Sequence, residues 1–401
     1  MSFYLQQGYG MTQINQEFSK KYKDNLGVIL APRALQVSTD ISRLENHSKQ
    51  LKKNGTRILF DPQFYVPGTN LEKIIKFPYF KNLAFQTIEF NKNHAVKFCE
   101  EVIDYQVNKM LVDDIILPNR YINAITTEWL EMQEIFIESS LHVKGNKKTY
   151  LTLALGPDVV LNTDTFDELI GNCVNYNVDG FYIVLKSPSN LYLIDNEAYI
   201  YSLLDAFLSL KLAGKQIILG YANQQSLIYS AVGVDFIASG NFRNVRSFNP
   251  DIFAEVDDEE DEILRRGTWY YDGNSLSEFK KEQLSLAYKR NIKVFGPSCE
   301  YCEPLLTALN PAIVLWKEPS AFKHYLLEIR RQWNSLMSVH ASKRIDTVIK
   351  LLDDTSNHNS VLKEKGIKLG SRGFTDKIMD ATFTALTAIK MDRGLDISQL
   401  K

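Results

Sequence analysis

Short apolar runs alternate with amphipathic stretches through the middle of the chain, the sequence form of repeated βα units on a parallel sheet. Eight core strands are predicted: Arg57–Phe60, Lys109–Val112, Thr149–Leu155, Gly180–Leu185, Gln216–Leu219, Val234–Ala238, Asn291–Phe295 and Ala312–Leu315. Helical patterns lie between them at Tyr121–Glu138, Asp164–Asn175, Glu197–Leu212, Gln224–Ala231, Leu276–Lys289 and Glu303–Leu309. Several of these crossovers place apolar residues once per helical turn, so one face of each helix can cover the sheet. Eight strands with crossovers fit a closed α/β (β/α)8 barrel of the TIM type better than an open doubly wound sheet. No Gly-x-Gly-x-x-Gly follows the first strand, which argues against a dinucleotide-binding fold.

The ends of the chain fall outside this repeat. Residues 1–56 read as an N-terminal extension holding a strand, Gly27–Leu30, and a helix, Ile41–Lys53. The barrel is expected over 57–336, with an insertion around 247–275 that contains the acidic run Asp257–Glu262, read as a solvated loop. A long amphipathic helix is predicted from Ser320 to Leu352, a polar linker at Asp353–Ser360 and a last helix at Phe374–Met391. Residues 337–401 thus form a helical C-terminal extension, suited to capping the barrel or to meeting a partner.

Composition narrows the function only a little. The net charge of -2 means that no bulk field attracts nucleic acid, so such a partner would need a local basic patch. Four cysteines without regular pairing point to reduced thiols and a cytoplasmic setting. The start of the chain has neither the charged nor the apolar region of a signal peptide, and no apolar run is long enough to span a bilayer, so no membrane association is expected.

Function in such a barrel sits where the strands end. That places Asp61, Asp113, Asp114, Gly156–Asp158, Lys186, Gly220–Asn223, Ser239–Arg243, Cys299 and Lys317–Glu318 at the mouth. An ionised Asp only accepts hydrogen bonds and matches the paired N–H groups on the edge of a guanine. The same Asp can instead cap the helix that follows. Basic Arg120, Lys186, Arg243, Arg246, Arg265 and Arg266 could meet phosphate, and aromatic Phe64, Tyr65, Tyr121, Tyr221 and Phe242 could stack on a base or serve as ordinary packing.

The segment Lys215–Arg246, KQIILGYANQQSLIYSAVGVDFIASGNFRNVR, carries a more specific signal. Its Gly233-Val234-Asp235-Phe236-Ile237 and Arg243-Asn244-Val245-Arg246 resemble the part of a tRNA-guanine transglycosylase barrel that holds the nucleophilic Asp. Ala238 stands where that Asp belongs. The resemblance extends more loosely over residues 55–335. It implies that Asp61 and Asp113 hold the guanine edge, with Asp61 available as an acid or base, and that Gly156, Gly220 and Tyr221 line the base pocket. It also implies that Arg120, Lys186, Arg243 and Arg246 lie near nucleic acid.

The family's covalent base exchange needs a carboxylate nucleophile, which Ala238 cannot supply. Its structural zinc is held by three Cys and a His, of which Cys299 and Cys302 remain here. Glu318 aligns with the His, and His324 lies further along. The expectation is therefore two free thiols and no cofactor, with zinc as the alternative. The chain resembles transglycosylase-like accessory proteins of bacterial anti-phage clusters of the cyclic-oligonucleotide (CBASS) type. Three functions follow from the resemblance: non-covalent binding of a guanine or 7-deazaguanine, free or in modified nucleic acid; a non-catalytic scaffold in a homo-oligomer or hetero-complex; or base exchange with Asp61 or Asp113 as nucleophile.

Overall fold

The computed structural model describes residues 3–23, 26–66, 68–81, 92–189, 191–254, 268–289 and 294–401. The chain divides into two units. The first comprises Met1–Pro188, Asp205–Ala222 and Val234–Asp257; the second comprises Ser189–Leu204, Asn223–Gly233 and Asp258–Lys401.

The first unit is built on the strands β1 (Phe3–Gln6), β2 (Gly27–Leu30), β3 (Arg57–Phe60), β4 (Ile115–Leu117), β5 (Tyr121–Ile122), β6 (Thr149–Leu155), β7 (Gly180–Leu185), β8 (Gln216–Leu219) and β9 (Phe236–Ser239). They run in the order β3-β2-β1-β9-β8-β7-β6-β4, with β5 added to β6. Every pairing is parallel. The result is a nearly closed eight-stranded (β/α)8 barrel. At the seam between β3 and β4, the Asp113 N–H donates to the Ile58 carbonyl (2.8 Å), and the Asp113 carboxylate accepts from the Ile58 N–H (2.6 Å). β6 is buried at all seven positions, as expected of a parallel strand covered on both faces, and this is why it is mostly apolar apart from Thr149 and Thr152.

The strands are not all where the sequence pattern puts them. β1 and β2 come from residues 1–56, so this stretch is part of the barrel rather than an extension, and the eight strands span Phe3–Ser239 rather than 57–336. Lys109–Val112 is not a strand. It begins at the end of a π-helical turn, Tyr105–Lys109, and runs through Leu111 in the left-handed region (φ 53), so β4 starts later, at Ile115.

The second unit contains an antiparallel hairpin, β10 (Trp269–Asp272) and β11 (Ser277–Lys280), and the helices Lys281–Lys289, Glu318–Met337, Arg344–Glu364 and Asp376–Ser398. Tyr270, Phe279, Leu284, Phe295, Trp316 and Leu362 lie in its core. Ala312–Leu315, expected as a strand, forms a 3-10 turn at Pro311–Ile313 and leaves Ile313 and Leu315 80% and 82% exposed, while Val314 packs against the core. Asn291–Phe295 lies partly outside the described residues, and the acidic run, Arg265 and Arg266 lie wholly outside them. The helix expected over Ser320–Leu352 is two helices, broken after Met337. Asp353–Ser360 is helical, not a linker: Thr355 and Asn359 sit one helical turn apart on its buried face, His358 meets Asp272, and Ser356 and Asn357 face outward. Among the described residues, no helix is long and apolar enough to cross a membrane.

Candidate functional site

Asp61 follows β3 directly and is pinned there by its N–H, which donates to the Leu30 carbonyl (2.8 Å). Its carboxylate is 1% exposed. One oxygen accepts from the Gln63 N–H (2.9 Å). The other is reached by the hydroxyls of Tyr65 (2.9 Å), Tyr182 (3.3 Å) and Tyr221 (3.4 Å). The Gln63 side-chain amide donates to the Tyr221 hydroxyl (3.1 Å), and the Tyr182 hydroxyl is also within 3.2 Å of Gln6 Oε1 at the end of β1. Four separate strands therefore aim polar groups at one point: Gln6 from β1, Asp61 after β3, Tyr182 from β7 and Tyr221 after β8.

The backbone is bent to serve this cluster. Gln63 and Tyr221 both hold positive φ (55 and 52), a left-handed conformation that side-chain-bearing residues rarely adopt. Such strain persists where the surroundings impose it, and it concentrates at functional sites. Gly220 is needed for packing: a Cβ there would lie 2.6 Å from the Tyr182 ring. A Cβ on Gly156 would strike the Asn123 side chain and the Tyr121 hydroxyl. These two glycines, expected to line a base pocket, make room for neighbouring side chains.

The electrostatics follow from burial. Desolvation pushes the Asp61 carboxyl up to about 6, and the bonds from Gln63, Tyr65, Tyr182 and Tyr221 offset only part of that rise. All three tyrosines are held well above the ordinary phenol range, chiefly by burial, so they remain neutral donors. A carboxylate titrating near 6 at the mouth of a barrel suits proton transfer or recognition of a hydrogen-bond donor.

The other residues singled out from the sequence divide sharply. Ala238 lies in β9, buried and in register with Tyr4 of β1, and presents only a methyl group. Ser239 is committed: its hydroxyl donates to the Ala222 carbonyl (2.6 Å). Asp235 faces away from the mouth, as expected, with Lys211 Nζ and the Ile217 N–H each 2.8 Å away. Asp113 does not join the cluster around Asp61. Because β4 starts after it, its carboxylate sits beside the Ile58 N–H near the start of β3 and pairs with Lys52 (2.6 Å). Asp114 likewise pairs with Arg57 at that end of the strand.

The basic residues fare differently from one another. Arg243 is exposed on a 3-10 turn, Lys186 pairs with Asp251 (3.5 Å), and Arg120 is partly buried with its guanidinium depressed by desolvation. Arg246 is only 2% exposed and donates to the Gly240 (2.7 Å) and Asn241 (2.6 Å) carbonyls, so it staples its own loop rather than meeting phosphate. Arg246→Ala is expected to lower unfolding stability by about 1–2 kcal/mol, read from the urea midpoint, because two buried carbonyls lose a charged donor. An unchanged midpoint would contradict the staple.

Sequence reasoning missed Gln6 and Tyr182 and placed Gln63 only within a motif. Gln6 and Gln63 lie at or near strand ends, which was their one available signal, but β1 was not recognised as a strand, and Tyr182 lies within β7.

The second unit holds a candidate metal centre. Cys299, Cys302 and His324 place one potential ligand atom each within 4.8 Å of one another. The two Sγ atoms are 3.7 Å apart, and Cys299 Sγ is 3.2 Å from His324 Nδ1. Tetrahedral zinc with ordinary Zn–S bonds holds two thiolates about 3.8 Å apart. His324 Nε2 meets the Tyr271 carbonyl (2.7 Å), which fixes the ring with Nδ1 facing the sulfurs. Cys302 is the readier thiolate, lowered by hydrogen bonding from Cys299, from His324 and from Ser298, while Cys299 is raised by its bond with Cys302 and by burial. The residues fit a zinc ion, for which His324 rather than Glu318 would be the third ligand; among the described residues no fourth joins them.

No protein-family model and no curated protein matches this chain. Among solved structures, the carboxyl transferase domain of Rhizobium etli pyruvate carboxylase, with pyruvate and biocytin, is similar at 11% identity and a TM-score of 0.37, over 98% of this chain and 60% of that one. The enoyl reductase domain of MlnA from the macrolactin biosynthesis cluster of Bacillus amyloliquefaciens is similar at 11% identity and a TM-score of 0.32, over 97% of this chain and 81% of that one. The chain thus spans about three-fifths of the first structure's length. Likenesses at these scores carry no argument about function.

Proposed function

We propose that the barrel mouth around Asp61 binds a guanine or 7-deazaguanine base non-covalently, as a transglycosylase-like protein without base-exchange activity, and that it serves anti-phage defence. The observation that carries the base-binding reading is the buried Asp61 carboxylate at the end of β3, with the hydroxyls of three tyrosines on one of its oxygens. A carboxylate in this setting recognises paired N–H donors, and the tyrosine rings supply flat apolar surface for a heterocycle. Ala238 supports the absence of exchange, since a methyl group cannot form a glycosyl intermediate. The defence role rests on the sequence resemblance alone.

In this reading, Asp61 accepts the N–H edge of the base once tyrosine hydroxyls give way, and Tyr65, Tyr182 and Tyr221 exclude water. Gln63 holds Tyr221 and the carboxylate in place through its N–H and amide. Calorimetric titration with guanine and with 7-cyano-7-deazaguanine tests it. Binding that weakens at least about tenfold in Asp61→Ala is expected, the cost of a lost charged acceptor. Equal affinity in Asp61→Ala would leave the scaffold function as the better reading. Exchange of labelled guanine into nucleic acid would overturn the non-catalytic part alone.

A further inference from the structure

The loop after β9 turns back over Asp61 and brings an aromatic ring of its own. Phe248 is buried, with its ring centroid 4.8 Å from that of Tyr65, 5.4 Å from Tyr221 and 6.0 Å from Tyr121. The first two contacts are edge-on and the third is tilted. Phe253, also buried, packs on Tyr65 (4.9 Å) and on Phe248 (5.9 Å). Tyr65 and Tyr221 are the same residues whose hydroxyls reach Asp61. One phenyl ring therefore fills a cage of three tyrosines, and two of those tyrosines hold the carboxylate.

Two buried rings anchor this segment, and the polar contacts named next lie at its edges. Phe248 forms a single backbone bridge with Lys186, just beyond β7, and Lys186 pairs with Asp251 through a largely solvent-facing contact. The Arg33 guanidinium lies 5.2 Å over the Phe253 ring and donates to the Ile252 carbonyl. Asp61, meanwhile, has its hydrogen bonds met by groups of the protein itself, so a ligand must displace something to reach it.

We infer that Phe248 occupies the seat of a flat heterocyclic ligand, and that such a ligand binds by exchanging ring for ring with Phe248 as the segment Phe248–Phe253 lifts. A cage of aromatic rings beside hydrogen-bonding groups suits a planar ring, and a heterocycle adds the polar edge that a phenyl lacks. This rests on the base-binding reading and adds that the free protein occludes its own site. Apparent affinity is then the intrinsic affinity reduced by the fraction of molecules with the segment open.

Guanine titrations of the full chain test it, using wild type, Phe248→Ala, Phe248→Leu and the double variant Phe248→Ala/Asp61→Ala, each checked by a cooperative thermal melt. Phe248→Ala is expected to bind guanine about tenfold more tightly than wild type, since it no longer competes with its own ring. The double variant is expected to lose that gain. Should Phe248→Ala fail to melt cooperatively, Phe248→Leu takes its place, with a smaller gain expected because an aliphatic side chain still fills part of the seat. Wild-type binding that neither variant tightens would overturn the self-occlusion and leave base binding standing. A gain that survives loss of Asp61 would mark an engineered cavity and overturn the assignment of the seat. If neither wild type nor any variant binds guanine, the base-binding reading falls and this inference falls with it.

Discussion

Purified protein is expected to carry one zinc ion per chain, and Cys302→Ser to lose it at a cost to the second unit on the order of 4 kcal/mol. The expectation rests on three features that packing alone does not demand. The sulfurs already sit 3.7 Å apart, His324 is turned by the Tyr271 carbonyl so that Nδ1 faces them, and Cys302 is polarised towards the thiolate. A metal that binds only the folded arrangement adds its binding free energy to stability, and its loss is among the few single changes that cost this much. Because the ligands must be deprotonated, zinc is expected to leave as pH falls, and melting should become sensitive to a chelator. Plasma mass spectrometry on the purified protein and melts with and without chelator decide the matter. A metal-free chain whose melting responds neither to chelator nor to Cys302→Ser would make the cluster simple packing of two thiols against an imidazole.

The barrel's middle strands were readable because parallel strands buried on both faces leave long apolar runs, as in the seven buried residues of β6. β1 left no such trace. Its four residues, Phe3–Gln6, give too short a pattern for periodicity, and only the pairing of Tyr4 with Gly27 and Ala238 makes them the strand that joins β2 to β9. Lys109–Val112 misled for the converse reason: an apolar triplet at a helix end looks like a strand until a left-handed residue turns the chain. Asp61 was legible because it directly follows a short apolar strand. Gln6, Tyr182 and Tyr221 converge on it only through contacts between strands far apart in sequence, which no local pattern encodes. Asp113 failed with the misplaced strand. Arg246 failed because charge suggests exposure, whereas its loop presents two carbonyls that repay burial of a guanidinium. The choice of His324 over Glu318 is a matter of helix phase. His324 lies on the buried side of its helix with Ala321, Tyr325 and Ile329, while Glu318 is only partly buried at the first turn.

Asp61→Asn is expected to stabilise the protein at neutral pH by about 3 kcal/mol and to make almost no difference below about pH 4. The sign follows from the raised carboxyl, about 6 in the fold against 3.8 for an ordinary Asp. Below the lower value both states carry the proton, and the folded protein buries a neutral acid. As pH rises from 3.8 towards 6, the unfolded chain ionises first, so wild-type stability falls across this window and then levels off. Asparagine has no proton to lose, so the gap between variant and wild type should open over the same interval. Thermal or urea melts of both proteins at several pH values from 3.5 to 8 would reveal it. A gap that does not change with pH, or a variant less stable throughout, would mean that the tyrosines and Gln63 hold the ionised carboxylate as well as water does. If the gap opens as expected, the native site keeps an ionisable group that weakens the fold at neutral pH and that a near-isosteric neutral residue could replace. A cost of that kind is what a binding or proton-transferring carboxylate imposes on its scaffold, since sites shaped for function give up stability to keep the group that function needs.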